Sequence, residues 1–196
     1  MVNLIVRAIV LLVLPTVVIL SGGYLMQRLS GREQIDERLA GSPEGRGLGI
    51  RFTGYDSKAV SARWKALGTH DLSKPRPDLL KYERRGLELD LIFPFLYGGI
   101  LAASLLCAWV ALARPFTAVW LILPVAITVL ADWTENLIQL GQLNLFEKSR
   151  GAVLQPAWIQ VASVATMAKW FFLCGSSLLL IVLLVLMISR GIAGRS

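Results

Sequence analysis

Leu91-Ile-Phe-Pro-Phe-Leu-Tyr-Gly-Gly-Ile-Leu-Ala-Ala-Ser-Leu-Leu-Cys-Ala-Trp-Val-Ala-Leu-Ala113 is an uncharged run of 23 residues. About 20 apolar residues in helical form cross a hydrocarbon core about 30 Å thick, so this stretch reads as a transmembrane helix with some tilt. Asp90 stands at its entrance, and Pro94 and Tyr97 follow within two turns. Gly98 with Ala102, and Gly99 with Ala103, form two rows of small residues four apart, which let a neighbouring helix approach closely.

Outward from this span the pattern repeats. Toward the C-terminus, Arg114-Pro115 reads as a turn and Phe116 to Leu140 as another span, with Pro124 inside it. That span ends in Ala131-Asp-Trp-Thr-Glu-Asn-Leu-Ile-Gln139, where Asp132, Glu135 and Asn136 share one helix face, extended a turn each way by Thr128 and Gln139. A short polar link with Glu147, Lys148 and Arg150 leads to a last helix that begins at Pro156. Its uncharged stretch Trp170 to Ser189 is one full crossing, with Lys169 at the threshold and Gln160, Ser163 and Thr166 as a polar stripe before it.

Toward the N-terminus, Ala8 to Met26 is an apolar run of 19 residues after Arg7. Signal-peptide cores run to about 7–15 residues, so an uncleaved first span is the stronger reading, with Pro15 tolerated inside it; Ser21-Gly22-Gly23 would serve as a cleavage site under the other. Gln27 to Glu88 carries most of the charge. Within it Gln27 to Leu39 has a weak amphipathic pattern, Gly41 to Gly49 is a glycine-rich turn, and Ile50 to Thr53 reads as a short strand. The glycine-rich turn lacks the Gly-Lys-Ser/Thr of a phosphate loop. Asp56 or Ser57 can cap a helix to Leu67 with Val60, Trp64 and Leu67 on one face and Gly68 as its stop. Lys74-Pro-Arg-Pro-Asp78 then restarts a helix that runs into the second span. The expected fold is thus an all-α membrane protein: one membrane domain, 1–196, with four transmembrane helices at about 5–26, 90–113, 116–140 and 157–189 in an up-down bundle, and a polar, partly helical insert at 27–88.

Composition agrees. A chain 55% hydrophobic and only 17% charged, with mean hydropathy +0.62, belongs with polytopic membrane proteins. The net charge of +7 comes from Lys and Arg interleaved with acids or placed at segment ends. That distribution indicates anionic lipid headgroups and topology signals, not nucleic acid. Cys107 and Cys174 lie inside apolar runs, where buried inert thiols are the default, and the lone His70 sits in a polar loop. No cofactor is expected, and Asp and Glu without histidine make a poor transition-metal set, so no metal site is expected either.

If four spans alternate, Arg7, Arg114 and Arg190 fall at one boundary and Arg28, Asp90, Asp132, Glu135 and Lys169 at the other, with Trp109 and Trp120 near the first and Trp133, Trp158 and Trp170 near the second. Asp90, Tyr97, Asp132, Glu135, Asn136, Gln139 and Lys169 are therefore the candidate polar or ligand site, and Gly98, Gly99, Ala102 and Ala103 the candidate packing surface. Arg84 and Arg85 read as headgroup anchors. Asp90-x-x-x-Pro94-x-x-Tyr97, Asp132-x-x-Glu135-Asn136 and Lys169-Trp170, with Thr53-Gly54-Tyr55-Asp56 ahead of them, resemble the pattern of a family of small uncharacterised four-span membrane proteins. The resemblance touches most of the chain after residue 50 and implies topology and a polar cluster, with no activity attached.

Three functions fit these residues. The first is a non-enzymatic accessory or assembly component that holds a membrane partner or a second copy. The second is an intramembrane enzyme or a lipid- or small-molecule-binding protein using the cluster. The third is ion or proton transport as an oligomer. A bacterial inner membrane is the expected location. Basic residues without acids near the ends of the chain favour cytoplasmic termini and an extracytoplasmic insert, although Arg28, Arg32, Lys81, Arg84 and Arg85 pull the other way.

Overall fold

The computed structural model describes residues 2–45, 47–68, 78–112 and 119–193. His70, the restart segment Lys74 to Pro77, the Arg114-Pro115 turn with Phe116, and Arg195 lie outside the described residues. Among those described, helices α1 (Val2–Ser30), α2 (Arg32–Arg38), α3 (Ser57–Leu67), α4 (Leu80–Leu89), α5 (Phe93–Ala111), α6 (Leu123–Lys148) and α7 (Pro156–Ala193) account for nearly all regular structure, and no strand occurs. Four stretches are long and apolar enough to cross a membrane: Val6–Ser30, Leu80–Ala111, Val119–Lys148 and Pro156–Arg190. The chain is a polytopic helical membrane protein.

Local chemistry sets the boundaries. Gly31 stops α1 in a left-handed conformation (φ 77°) and α2 restarts at once; a Cβ there would also meet the Tyr82 ring at 2.5 Å. The amphipathic stretch Gln27 to Leu39 is therefore two helices. Asp56 caps α3 by accepting from the Ala59 amide, and Asp78 accepts from the Leu80 amide at the start of α4. The strand expected at Ile50 to Thr53 is instead a 3₁₀ turn, Leu48–Ile50, and an irregular loop, whose backbone closes on itself in local turns, Arg51 N donating to Leu48 O and Gly54 N to Arg51 O. Between α4 and α5 the chain kinks at Asp90. Pro94 has no amide hydrogen and its ring excludes the carbonyl four residues back, which is that of Asp90. The freed carbonyls find partners on α6: Asn136 Nδ2 donates to Asp90 O at 3.3 Å and Trp133 Nε1 to Leu91 O at 2.8 Å.

Two apolar clusters form, and they share no residue. One joins Ala8 on α1, Leu101, Leu105 and Ala108 on α5, Val125 on α6, and Leu180, Leu183, Leu184 and Met187 on α7. The other gathers Ile35, Leu39, Leu48, Val60, Trp64, Leu67, Leu79 and Leu80 around Leu143 and Phe146 of α6 and Ile159 and Ala162 of α7. The second cluster explains a departure from expectation. The region read as a polar link after Leu140 is two further turns of α6, because Leu143 and Phe146 bury fully there, with Phe146 edge-on to Trp64 at 5.5 Å. Arg63 on α3 is also fully buried, forked onto Glu83 of α4 by two 2.7 Å hydrogen bonds and donating to Glu44 O.

Of the two small-residue rows, one packs within the chain. Gly98 is buried against α6, where a Cβ would sit 2.5 Å from Val129 Cγ2, and Ala102 packs beside the first cluster. Gly99 and Ala103 are exposed, with nothing within 4 Å of a Cβ at Gly99. Cys107 and Cys174 also face outward and are not buried, since neither apolar cluster reaches their side of the helix. Arg84 forms an ion pair with Glu147 of α6, which gives it a protein partner where a headgroup anchor was expected.

A polar cluster and the cavity above it

Between the two apolar clusters lies a layer of buried polar side chains. It is built on α6, where Thr128, Asp132, Glu135, Asn136, Gln139 and Gln142 recur at steps of three and four and all are buried. Opposite them, α7 brings Lys169. Its ammonium donates to Asp132 Oδ1 at 2.9 Å and to Glu135 Oε2 at 2.7 Å. The two helices run in opposite directions here, since Gln142 meets Gln155 while Glu135 meets Lys169.

The rest of the layer closes around this pair. From α5, Tyr97 OH donates to Asp132 Oδ2 at 2.8 Å. Asn136 Nδ2 reaches both Asp90 Oδ2 at 3.2 Å and Asp132 Oδ1 at 3.3 Å. Gln139 Nε2 donates to Glu135 Oε1 at 2.9 Å and to Tyr55 OH at 2.8 Å. The seven residues expected from sequence, Asp90, Tyr97, Asp132, Glu135, Asn136, Gln139 and Lys169, thus stand in one hydrogen-bonded network.

Two members were not foreseen. Tyr55 adds its hydroxyl, and its amide donates to Ser163 Oγ at 2.8 Å. Burial, with the Glu135 carboxylate close behind, pushes the Tyr55 hydroxyl above its ordinary range, so it stays a neutral phenol. Gly49 supplies a carbonyl that accepts from Trp170 Nε1 at 2.9 Å, and a Cβ on it would lie 3.4 Å from Glu135 Oε1. The loop of Gly47 to Asp56 therefore lies directly on the charged groups. A signal existed for Tyr55, an aromatic between a glycine and a capping aspartate, but nothing local says that such a residue travels to α6. Gln160, expected on the same stripe as Lys169, is exposed. Each step of three residues falls about 60° short of a full helical turn, so three steps carry Gln160 to the opposite side of α7. Ser163 and Thr166 are buried as expected.

Acids outnumber bases in the layer: among the described residues, Asp90, Asp132 and Glu135 stand against the ammonium of Lys169. Among the described residues no group of three or more metal-ligating side chains is arranged around a metal position; Lys169 takes the place between Asp132 and Glu135 that a cation would need. Above the layer lies a cavity of about 340 Å³, toward the lower end of the roughly 300–1,000 Å³ of ligand pockets. Asp90, Glu135, Asn136 and Lys169 floor it, and Ile19, Met26, Leu87, Phe93 and Leu173 wall it.

No family model, curated protein or solved structure matches this chain.

Proposed function

We propose that this protein is an integral membrane component that binds a small amphiphile, head down on the polar layer and chain along the apolar walls. The observation that carries this is the 340 Å³ cavity, in which Asp90, Glu135 and Lys169 share the lining with apolar residues of α1, α5 and α7, while Gln27, Ser30, Arg32 and Glu83 add polar groups toward α2 and α4. Hydrogen-bond inventory supports the chemistry of the head. Tyr97, Asn136 and Gln139 spend their donors inside the network and Lys169 spends two of its three, whereas each carboxyl group offers several acceptor positions. Among the described residues, Asp90 accepts a side-chain bond from Asn136 alone. Acceptors on the floor outnumber the one N–H that Lys169 has left, which favours a head that donates, an amine or a hydroxyl, over one that only accepts, such as a carboxylate.

The test is thermal unfolding of the protein in mild detergent with single-chain amphiphiles that differ only in the head. A ligand that binds only the folded state at 100 times its Kd stabilises by about 2.7 kcal/mol. The amine should raise the midpoint, the carboxylate should not, and Asp90→Asn should erase the amine's advantage. Equal shifts for all heads would sink the proposal.

A second reading rests on the Gly99/Ala103 row, which is exposed, with nothing among the described residues within 4 Å of a Cβ at Gly99. There the protein is an accessory or assembly subunit whose α5 receives a partner helix or a second copy, and the ion pairs hold its shape. Co-purification in mild detergent that Gly99→Leu abolishes would support it. We further propose an up-down arrangement in a bacterial inner membrane, with cytoplasmic termini and the segment 27–88 outside. In a Ser57→Cys variant with Cys107 and Cys174 replaced by Ser, an impermeant thiol reagent should label intact cells; labelling only after lysis reverses the orientation.

A further inference from the structure

The cavity's walls differ in how firmly they are joined, and the difference points to a route. At the end of the molecule away from the polar layer, α1 and α7 share a core, Ala8 and Leu11 packing with Leu180, Leu183, Leu184 and Met187. Beyond Leu11, neither apolar cluster draws a residue from α1. No α1 side chain from Thr16 to Leu29 is buried, and in this stretch α1 leans on α5, where a Cβ on Gly22 would sit 2.3 Å from the Phe93 ring. The cavity occupies the space left: Ile19, Gly23 and Met26 line it from α1, and Trp170 and Leu173 from α7. Gly23 has nothing within 4 Å of a Cβ. The loop closes the top, with Ile50 and Phe52 exposed and the Phe52 ring 4.4 Å from that of Trp170.

We infer that the cleft between α1 and α7 opens the cavity sideways to the bilayer, and that the ligand is a membrane lipid with a hydrogen-bond-donating head, held by that head while its chains stay among the other lipids. This rests on the binding reading above and adds the source and the route. Size supports a lipid held by its head: about 340 Å³ lies near the lower bound of the roughly 300–1,000 Å³ of small-molecule pockets, room for a head and the start of a chain and not for a whole two-chain lipid. Surroundings support the route as well, because Leu20, next to the lining Ile19 on α1, presents an exposed apolar side chain that only acyl chains would solvate.

The full chain is reconstituted into vesicles of choline-headed phospholipid doped with an amine-headed phospholipid that carries a photoreactive group in its chain. After illumination and digestion, adducts should concentrate on Ile19, Met26 and Leu173 over lipid-facing Leu137, and the excess should fall by about tenfold in Gly23→Trp, which fills the cleft. Ile19→Trp is the second plug should the first fail to fold, and Leu137→Trp the control that leaves the labelling unchanged. Labelling spread evenly over the apolar surface, or an excess that both plugs leave intact, overturns the lateral route. The detergent measurements above report the binding reading separately, because they need no bilayer: amine stabilisation there with even labelling here refutes the route alone.

Discussion

Lys169 is the residue on which the polar layer turns. It pairs with two carboxylates that are buried almost completely, Asp132 at 3% exposure and Glu135 at 0%. Removing one partner of a buried ion pair leaves an uncompensated charge, at a cost of about 3–5 kcal/mol. Lys169→Met should lower stability by that amount in detergent unfolding. The triple variant Lys169→Met, Asp132→Asn, Glu135→Gln should recover most of it, since the charges leave together. A triple variant no more stable than the single would show that the layer is held by something other than charge compensation. Much of this layer was legible in the sequence, because Asp132, Glu135, Asn136 and Gln139 declare a common face through helical spacing and Lys169 declares its depth by where its apolar run begins. Tyr55 and Gly49 were illegible for the complementary reason. They sit in a loop without periodicity, and their contacts span 84 residues to Gln139 and 121 to Trp170.

At the scale of elements, α5 tests how sequence rows become surfaces. Gly98 and Gly99 are neighbours with the same small-residue signature, yet a Cβ on the first would sit 2.5 Å from Val129 and a Cβ on the second would find nothing within 4 Å among the described residues. Forcing side-chain atoms into a packed contact costs about 1–3 kcal/mol. Gly98→Leu should therefore destabilise by at least that range in detergent unfolding while Gly99→Leu leaves the monomer's stability unchanged; similar losses at both would mean that both rows pack. A stripe of small residues says that close approach is allowed. It does not say which neighbour uses it, and here the deciding fact is the direction of α6. Helix ends were read unevenly for a related reason. Pro156 and Asp56 mark starts by local chemistry, whereas α6 runs on to Lys148 because Leu143 and Phe146 joined the cluster of Trp64, a residue about 80 positions earlier in the chain.

Across the whole molecule, the four long apolar stretches followed directly from length and hydropathy, which need no knowledge of partners. The way residues 31–68 fold back onto the ends of α6 and α7 did not follow, since it depends on one fully buried arginine, Arg63, and on Trp64 beside it. The separation of the two apolar clusters by a layer of charge also has a thermodynamic consequence. Each cluster can lose its packing while the other keeps its own, so the molecule should not melt as one cooperative unit and a single midpoint will not describe it. Urea acts from water and should dissolve the cluster around Trp64 first, with its fluorescence shifting red while most helix signal persists; an ionic detergent should then release the cluster around Leu105 and Leu183. Coincident fluorescence and circular-dichroism transitions in urea would refute this. If the transitions part, the half-melted state, with its helices still inserted and its loop lifted from Glu135, is a discrete species that can be isolated and counted.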